Sequence, residues 1–315
     1  MVLDPMGNVQ PCCWLPDYHL GNIKDQTLKE IWNSSPIQKL RREFIEGKPQ
    51  ICKVKMDQIG CHRTSLQKYS SEIKLSVLQE ALPMRFDLRL NGQCNLQCVM
   101  CNIWEMPNGL YTEESFWRPG REDFFRNLKE MIVLGGEPFI QKDVYRLISE
   151  VSALNPNCEW GFITNGHYDF NEKIVSYLEK IKIRYIQVSL DSLDPELYSE
   201  IRKGGRLSRA LQTLQAIINY SERRRSSGCE FVVSISMCVQ KRNYKEIEAF
   251  ISFSRHLNLE LGIQFVAHPL SESLLSLSFS ERKNISEYME EIQNRVALEQ
   301  LNAVIAPLRE SLNTG

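Results

Sequence analysis

The sequence predicts an α/β protein, an open (β/α)6 barrel preceded by a small cysteine-rich α+β lobe. From about residue 83 the pattern of strand, loop and helix recurs for six strands, and such alternation forms a parallel sheet with right-handed crossovers. Before that point the chain holds four cysteines, several Gly/Pro turns and one good helix. We therefore expect a lobe at 1–66, a linker at 67–82, a barrel at 83–270 and a helical extension at 271–315.

The helix of the lobe is predicted to run from about Thr27 to Ile45. Thr27 is a good N-cap residue, and Glu30 follows three residues later, as in a capping box. Ile31, Leu40 and Phe44 supply its apolar stripe. So small a lobe has little core of its own and would gain stability from a bound metal.

The six barrel strands are bounded by turn residues and separated by helical patterns. They are predicted at Arg85–Leu90, Glu130–Leu134, Trp160–Thr164, Tyr185–Leu190, Phe231–Val239 and Gly262–Val266. Helices between them are predicted at Val144–Leu154, Glu172–Lys180, Leu207–Arg223 and Tyr244–His256.

Several strands alternate polar and apolar residues, as where Gln187 and Ser189 oppose Ile186 and Val188. In a barrel covered by helices the apolar set faces the helices, so the polar set lines the lumen. A polar lumen indicates bound cofactor and substrate. The alternative is an antiparallel sheet with one wet face, which the intervening helices disfavour.

Composition and charge narrow the classes of function. The chain has 38 basic and 39 acidic residues, a net charge of −1, so no overall field favours nucleic acid or an anionic membrane. No apolar stretch approaches the roughly 20 residues of a membrane span, and the first residues lack the pattern of a signal peptide. We expect a cytoplasmic protein with reduced thiols, so its ten cysteines indicate metal or cluster binding.

The strongest motif is Cys94, Cys98 and Cys101, spaced Cys-x-x-x-Cys-x-x-Cys directly after the first predicted strand. Ligand chemistry in such folds lies at the carboxyl ends of strands. Three thiolates within eight residues can hold one face of a cubane iron–sulfur cluster and leave one iron open. The alternative is a structural zinc site, which needs a fourth ligand; Cys52 and Cys61 would be poor partners.

Three more motifs follow the next strands, each at a carboxyl end. They are Gly135-Gly136-Glu137-Pro138, Thr164-Asn165-Gly166, and Ser189-Leu190-Asp191 with Arg202 after it. Each alone has an ordinary explanation, a tight turn or a surface arginine. Together with the three cysteines, in this order, they resemble the radical SAM superfamily over the whole predicted barrel.

The resemblance implies a partial TIM barrel of radical SAM type and its cofactors. Cys94, Cys98 and Cys101 would bind a 4Fe–4S cluster whose open iron chelates S-adenosylmethionine, and reductive cleavage would give a 5′-deoxyadenosyl radical. The residues that would approach S-adenosylmethionine are Gly135, Gly136, Glu137, Ser189, Asp191 and Arg202. An electron donor such as flavodoxin or ferredoxin is also implied.

The N-terminal lobe is similar to the SPASM/twitch auxiliary-cluster domain. The similarity rests on the Asp-Pro-Met-Gly turn with Pro-Cys-Cys after it, a Gly-Asn-Ile turn and a helix with Ile-Trp. It implies a possible second cluster, with candidate ligands Cys12, Cys13, Cys52 and Cys61. The match departs from the family where Lys55 replaces a thiolate, and adjacent Cys12 and Cys13 cannot both easily reach one cluster. Whether the lobe binds a cluster therefore stays open.

The predicted function is hydrogen abstraction from a peptide or small natural-product substrate, because relatives with this auxiliary domain often modify peptides. The balanced charge argues against tRNA. Cys238, on the inferred lumen face, and His268, after the sixth strand, are weak catalytic candidates; a buried structural role is the alternative for each. The competing class is a non-catalytic protein that keeps a degenerate radical SAM fold for binding or assembly.

Overall fold

The computed structural model describes residues 1–13, 15–48, 50–52, 76–108, 117 and 125–313. In chain order the strands are β1 (Val2–Leu3), β2 (Asn8–Gln10), β3 (Gly21–Asn22), β4 (Arg85–Arg89), β5 (Gln97–Cys98), β6 (Glu130–Leu134), β7 (Glu159–Thr164), β8 (Lys182–Ser189), β9 (Arg202–Lys203), β10 (Val232–Val239) and β11 (Glu260–Phe265). The α-helices are α1 (Leu28–Trp32), α2 (Ser35–Ile45), α3 (Lys142–Leu154), α4 (Glu172–Leu178), α5 (Pro195–Ile201), α6 (Leu207–Ser226), α7 (Ile247–His256), α8 (Phe279–Val296) and α9 (Asn302–Asn313).

The described residues form one nine-stranded sheet in the order β11-β10-β8-β7-β6-β4-β1-β2-β3. Strands β4, β6, β7, β8, β10 and β11 are parallel neighbours in sequence order, with helices between most of them. This confirms the predicted open (β/α)6 arrangement. The carboxyl ends of all six strands therefore meet at one edge, which places the predicted motifs near each other.

The predicted alternation along the strands is present on β4. Phe86 and Leu88 are fully buried in the core, whereas Arg85, Asp87 and Arg89 are half-buried on the opposite face. The apolar set packs into the core that the helices cover, so the polar set lines the lumen.

Four charged residues and one tyrosine in the amino-terminal halves of the strands form what we call the lumen floor: Arg85, Asp87, Glu130, Arg184 and Tyr185. Arg85 lies 3.0 Å from Asp87 and 3.6 Å from Glu130, and Arg184 also pairs with Glu130. Gly161 leaves room for the Tyr185 ring, because a Cβ there would lie 2.4 Å from Tyr185 Cζ. The floor is thus filled, and its two arginines are matched by two carboxylates.

The N-terminal lobe joins the barrel sheet directly. Val2 and Leu3 of β1 pair in parallel with Asp87 and Leu88 of β4, and β1 pairs antiparallel with β2. The buried apolar residues of the lobe belong to the same core cluster as those of the barrel. The lobe is therefore an extension of the sheet.

The single helix predicted from Thr27 to Ile45 is wrong, because the structure has α1 and α2 with a break at Asn33 and Ser34. The cause is Pro36, which has no N–H to donate to the carbonyl of Trp32 four residues earlier and is tolerated only in the first turn of a helix. The predicted capping box is present: Glu30 N donates to Thr27 Oγ1 at 3.2 Å, and Thr27 N donates to Glu30 Oε2 at 2.8 Å.

Residues 76–82, the described part of the predicted linker, are bonded to the lobe helices. Trp32 Nε1 donates to Ala81 O at 2.8 Å, and Asn33 exchanges hydrogen bonds with the Gln79 backbone. At the other end of the chain, α8 and α9 pack together, and α9 packs against β11. Within the described part of the chain, no helix has the length and apolarity needed to cross a membrane.

Candidate active site

The three predicted cluster cysteines lie on the loop after β4, at the carboxyl edge of the sheet. Cys94 and Cys98 are half-buried thiols and Cys101 is exposed. Among the described residues, no three His, Cys, Asp or Glu side chains lie close enough together to hold one metal ion. A zinc ion needs all its ligands around one centre, whereas a cubane spreads its thiolates over different irons. The assignment of these cysteines to a cluster therefore stays a prediction.

Protein atoms around each sulfur displace water, and this desolvation raises the pKa of each of these thiols, that of Cys98 to about 12. Backbone hydrogen bonds lower the pKa in part: the Leu96 N–H donates to Cys94, and the Ile103 N–H donates to Cys101. The thiols are therefore protonated until a metal displaces the proton. Their surroundings supply donors that stabilise the thiolates once they are formed.

Asp191 and Arg202 meet beside the cysteine loop. Arg202 Nη2 lies 2.7 Å from Asp191 Oδ2, and both side chains are almost fully buried. Arg202 Nη1 lies 3.8 Å from Cys98 Sγ, and the two residues pair across the short β5–β9 ribbon. Ser189, predicted with them, accepts a hydrogen bond from Ser236 Oγ at 3.3 Å. The structure therefore brings Arg202 to a predicted cluster ligand, a contact that the sequence did not predict.

The Gly135-Gly136 turn packs directly against the cysteine loop. Both glycines have positive φ, +88° and +54°, which favours glycine. A Cβ on Gly136 would lie 2.2 Å from Gln93 O, and one on Gly135 would lie 2.7 Å from Arg89 Cβ. This close approach leaves room only for glycine at both positions.

Glu137 is turned into the protein and has no exposed surface. Its Oε1 accepts from Thr164 Oγ1 at 2.7 Å and from Phe139 N at 3.2 Å, while Oε2 accepts from Asn165 N at 2.7 Å. Burial raises the pKa of Glu137 to about 7. In this structure the carboxylate joins the loops after β6 and β7 and has no exposed surface, so contact with a cofactor ammonium would require neighbouring groups to move.

Asn165 connects the loop after β7 to the cysteine loop. Its Nδ2 lies 3.7 Å from Cys94 Sγ and donates to Asn95 Oδ1 at 2.9 Å, while its Oδ1 accepts from His167 N at 2.8 Å. The amide is thus held in one orientation, with an N–H directed toward a predicted cluster ligand.

Arg89, on the lumen face of β4, differs from the other lumen arginines. Arg85, Arg184 and Arg202 each pair with a carboxylate, whereas Arg89 has no such partner among the described residues. Its charge opposes the rise in pKa that burial causes at Cys13 and Cys101. Arg89 is therefore an uncompensated cation near both groups of cysteines.

The two weak catalytic candidates lie in different settings. Cys238 is half-buried at the carboxyl end of β10, with its Sγ 3.8 Å from Gln264 Oε1 and its backbone N donating to Asp191 Oδ1 at 2.7 Å. Burial raises the pKa of Cys238 well above its usual range, so the thiol is neutral. His268 lies three residues past β11, and among the described residues no hydrogen bond joins it to Asp191 or to the cysteines.

The lobe cysteines are described only in part. Cys12 and Cys52 are half-buried and Cys13 is exposed, while Cys61 and Lys55 lie outside the described residues. Burial, then the neighbouring Cys12, raises the pKa of Cys13. The predicted ligand set of a second cluster therefore stays a prediction.

Two positioning residues escaped the sequence reasoning. Gln141 Nε2 lies 3.0 Å from both Gln93 O and Gly135 O, which ties the glycine turn to the cysteine loop. Asn243 Nδ2 donates to Asp191 O at 2.7 Å and to Cys238 O at 3.0 Å. Bonds from a side chain to a distant backbone oxygen leave no pattern in one sequence, so no signal marked either residue.

Comparison with known protein families gives two matches. A model of the radical SAM superfamily matches residues 89–254, more than half of the chain, and a model of an iron–sulfur cluster-binding domain, SPASM, matches residues 1–55.

Comparison with individual proteins gives more distant similarities. GTP 3′,8-cyclase of Marinobacter nauticus is 26% identical over 56% of this chain and 51% of its own length. A probable GTP 3′,8-cyclase of Methanocaldococcus jannaschii is 26% identical over 66% of this chain and 65% of its own length. The chain thus spans between half and two thirds of these curated relatives. Among solved structures, Streptococcus suis SuiB bound to its precursor peptide SuiA has a TM-score of 0.49 and 16% identity, over 82% of this chain and 60% of SuiB.

Proposed function

This chain belongs to the radical SAM superfamily, and on that premise we propose that it abstracts hydrogen from a peptide or small natural product that carries a carboxylate. It is an enzyme of the radical SAM class, and its cofactors are a 4Fe–4S cluster and S-adenosylmethionine. When bound, these cofactors supply a 5′-deoxyadenosyl radical. The rest of the proposal concerns what the residues of this chain do around them.

We propose that Cys94, Cys98 and Cys101 hold the cluster. Their support is the loop geometry: the thiols lie at the carboxyl edge of the sheet, with N–H donors directed at Cys94 and Cys98. Of the predicted cofactor contacts, Gly135, Gly136 and Ser189 are partly exposed there. Glu137, Asp191 and Arg202 are buried, and we propose that they position the loops around the cofactor.

The proposal that the substrate carries a carboxylate rests on one observation. The guanidinium of Arg89, on the lumen face, has no carboxylate partner among the described residues. The cations of the lumen floor are balanced by Asp87 and Glu130, and Arg202 is balanced by Asp191. Other strands contribute neutral hydrogen-bonding groups to the lumen face, such as Gln187 on β8 and Ser236 on β10. Because an arginine fork matches a carboxylate in shape and charge, this wall suits a polar substrate with one acidic group.

GTP is the second candidate, because the curated relatives named above are GTP 3′,8-cyclases. A triphosphate carries several negative charges, and tight binding of it calls for several cations. The described part of the lumen has only Arg89 without a carboxylate partner. The charge balance therefore favours one carboxylate over a triphosphate.

Chemical treatment of a substrate pool separates these candidates. Reconstituted protein with S-adenosylmethionine and dithionite should form 5′-deoxyadenosine slowly, and an anionic fraction of small molecules and peptides from the source cells should accelerate this. Esterification, which removes carboxylates, should abolish the acceleration, whereas phosphatase, which removes phosphates, should leave it intact. Acceleration by purified GTP, with the opposite response to the two treatments, would contradict the carboxylate proposal.

Cys238 is the described lumen residue best suited to return a hydrogen atom to a substrate radical; the resulting thiyl radical would need one proton and one electron from the external electron donor to regenerate the thiol. Its thiol is neutral, it lies at the carboxyl end of β10, and its backbone is fixed by the bond to Asp191. We propose it as the candidate donor ahead of His268, which shares none of these contacts.

Iron analysis should decide how many clusters the chain holds. If the N-terminal lobe binds a second 4Fe–4S cluster, anaerobically reconstituted protein should contain about eight irons and eight sulfides per chain; one cluster would give about four of each. The variant Cys52→Ala/Cys61→Ala should then lose about four irons. Cys229→Ala is the control, because Cys229 is exposed and belongs to neither predicted set of cluster ligands. Retention of all eight irons in the double variant would refute this ligand choice.

A further inference from the structure

Two side chains from outside the cysteine loop direct N–H groups at its sulfurs. Asn165 Nδ2 lies 3.7 Å from Cys94 Sγ, and Arg202 Nη1 lies 3.8 Å from Cys98 Sγ. The first contact is neutral. The second brings a full positive charge to a predicted cluster ligand, at a side chain that is only 6% exposed.

Arg202 is held in this position from several sides. Its backbone pairs with that of Cys98 across β5 and β9, and Val99 N donates to Ile201 O at 2.9 Å in the same ribbon. Its guanidinium is paired with Asp191 at 2.7 Å. The charge therefore stays beside Cys98 without any ligand to fix it.

Asp191 is held just as firmly. It has φ of +64°, its Oδ1 accepts from Cys238 N, and its carbonyl accepts from Asn243 Nδ2, both at 2.7 Å. Its carboxylate is fully buried. The pair thus places one positive and one negative charge at fixed positions next to the cysteine loop, with the positive charge 3.8 Å from Cys98 Sγ.

Such a pair acts on a cluster through the charge that the cluster gains when it is reduced. The reduction potential of an iron–sulfur cluster depends on hydrogen bonds to its sulfurs, on nearby charge and on exposure. A buried cation beside a ligand sulfur stabilises the more negative reduced state, and a buried anion destabilises it.

We propose that Arg202 and Asp191 together set the reduction potential of the cluster held by Cys94, Cys98 and Cys101. Arg202 raises the potential, which makes one-electron reduction easier, and Asp191 limits that rise. This inference rests on the proposed ligand set, and it adds a role that binding of S-adenosylmethionine does not require. Both are positioning residues, since they act through the cluster's ligands.

A redox titration of reconstituted protein, followed by electron paramagnetic resonance without S-adenosylmethionine, tests the proposal. The relevant cluster is the one whose signal changes when S-adenosylmethionine is added afterwards. Arg202→Gln should lower the potential, and Asp191→Asn should raise it, each by at least tenfold in the reduction equilibrium, which is 59 mV for one electron. The double variant Asp191→Asn/Arg202→Gln should lie between the two.

The opposite signs separate this role from a structural one. Both single variants break the same buried ion pair, so general loosening of the site would move both potentials in the same direction. Lys203→Gln is the matched control, because it removes a charge from the next residue of β9, where the side chain is exposed, and it should leave the potential nearly unchanged. Arg202→Lys keeps the charge and should shift the potential less than Arg202→Gln does.

Different results would refute the proposed cluster ligands and the proposed role of the Arg202–Asp191 pair. Wild-type protein that assembles no cluster responsive to S-adenosylmethionine would refute the ligand set. An intact cluster with unchanged potentials, or with shifts of the same sign in both single variants, would refute the role of the pair. If Arg202→Gln does not fold, Asp191→Asn still tests the sign of the effect: it should raise the potential, and an unchanged or lower potential would refute the role of the pair.

Discussion

Replacing Cys94, Cys98 and Cys101 together by alanine should abolish formation of 5′-deoxyadenosine and remove about four irons per chain. The reason is that three thiolates are the least that hold a cubane with one open iron, and the described residues offer no other cysteine on this loop. Activity would fall to the level of a mixture without protein, measured by chromatography of anaerobic reactions with dithionite.

The fold should survive this change. The three side chains are half-buried or exposed and take no part in the apolar core, so the circular dichroism spectrum should match that of wild type. Cys229→Ala, an exposed cysteine before β10, is the control and should keep both iron and activity. Product formation above background by a folded triple variant would refute the ligand assignment.

Raising the pH from 5 to 8 should destabilise the cluster-free wild-type chain relative to Glu137→Gln by on the order of 2 to 3 kcal/mol. Burial raises the pKa of Glu137 from 4.5 to about 7. Between these values the folded chain binds a proton that the unfolded chain has lost, so the stability that this proton confers is present below pH 4.5 and is lost as the pH rises through 7.

The glutamine variant keeps the shape of the side chain without the titration, so its stability should depend less on pH. The measurement is urea unfolding at several pH values. Burial lowers the pKa of His167, so its contribution to stability increases as the pH rises. This contribution is the same in both proteins and cancels when their stabilities are subtracted. Glu222→Gln, at an exposed position on α6, should follow the wild-type pH dependence. Parallel curves for wild type and Glu137→Gln would contradict the raised pKa.

The barrel strands could be predicted from the sequence because each strand has a local pattern of apolar and polar residues. Alternating or continuous apolar residues bounded by turns placed the strands within about three residues: the strand predicted at Tyr185–Leu190 is β8, which begins at Lys182. The lobe helix was missed at one point, where Pro36 divides it. The apolar stripe continues through this point and predicts one helix, but Pro36 alone is enough to interrupt the backbone hydrogen bonds of that helix.

The candidate site could be predicted only in outline. The motifs after the strands identified the loops that meet at the carboxyl edge, since parallel strands place those loops together. Their mutual contacts, such as Arg202 with Cys98 or Asn165 with Cys94, join residues 104 and 71 positions apart. Such pairings depend on the packed fold, so one sequence cannot reveal them.

The pairing of β1 with β4 has a consequence for any attempt to separate the lobe from the barrel. Strand β4 leads directly into the cysteine loop, and its outer side is covered by β1, with Asp87 N donating to Met1 O at 2.9 Å. Without the lobe, β4 would become a free edge strand whose unpaired N–H and C=O groups could recruit another chain. The barrel on its own would then be prone to aggregation at the strand that carries its cysteines. The lobe thus protects the solubility of the barrel, whether or not it holds iron of its own.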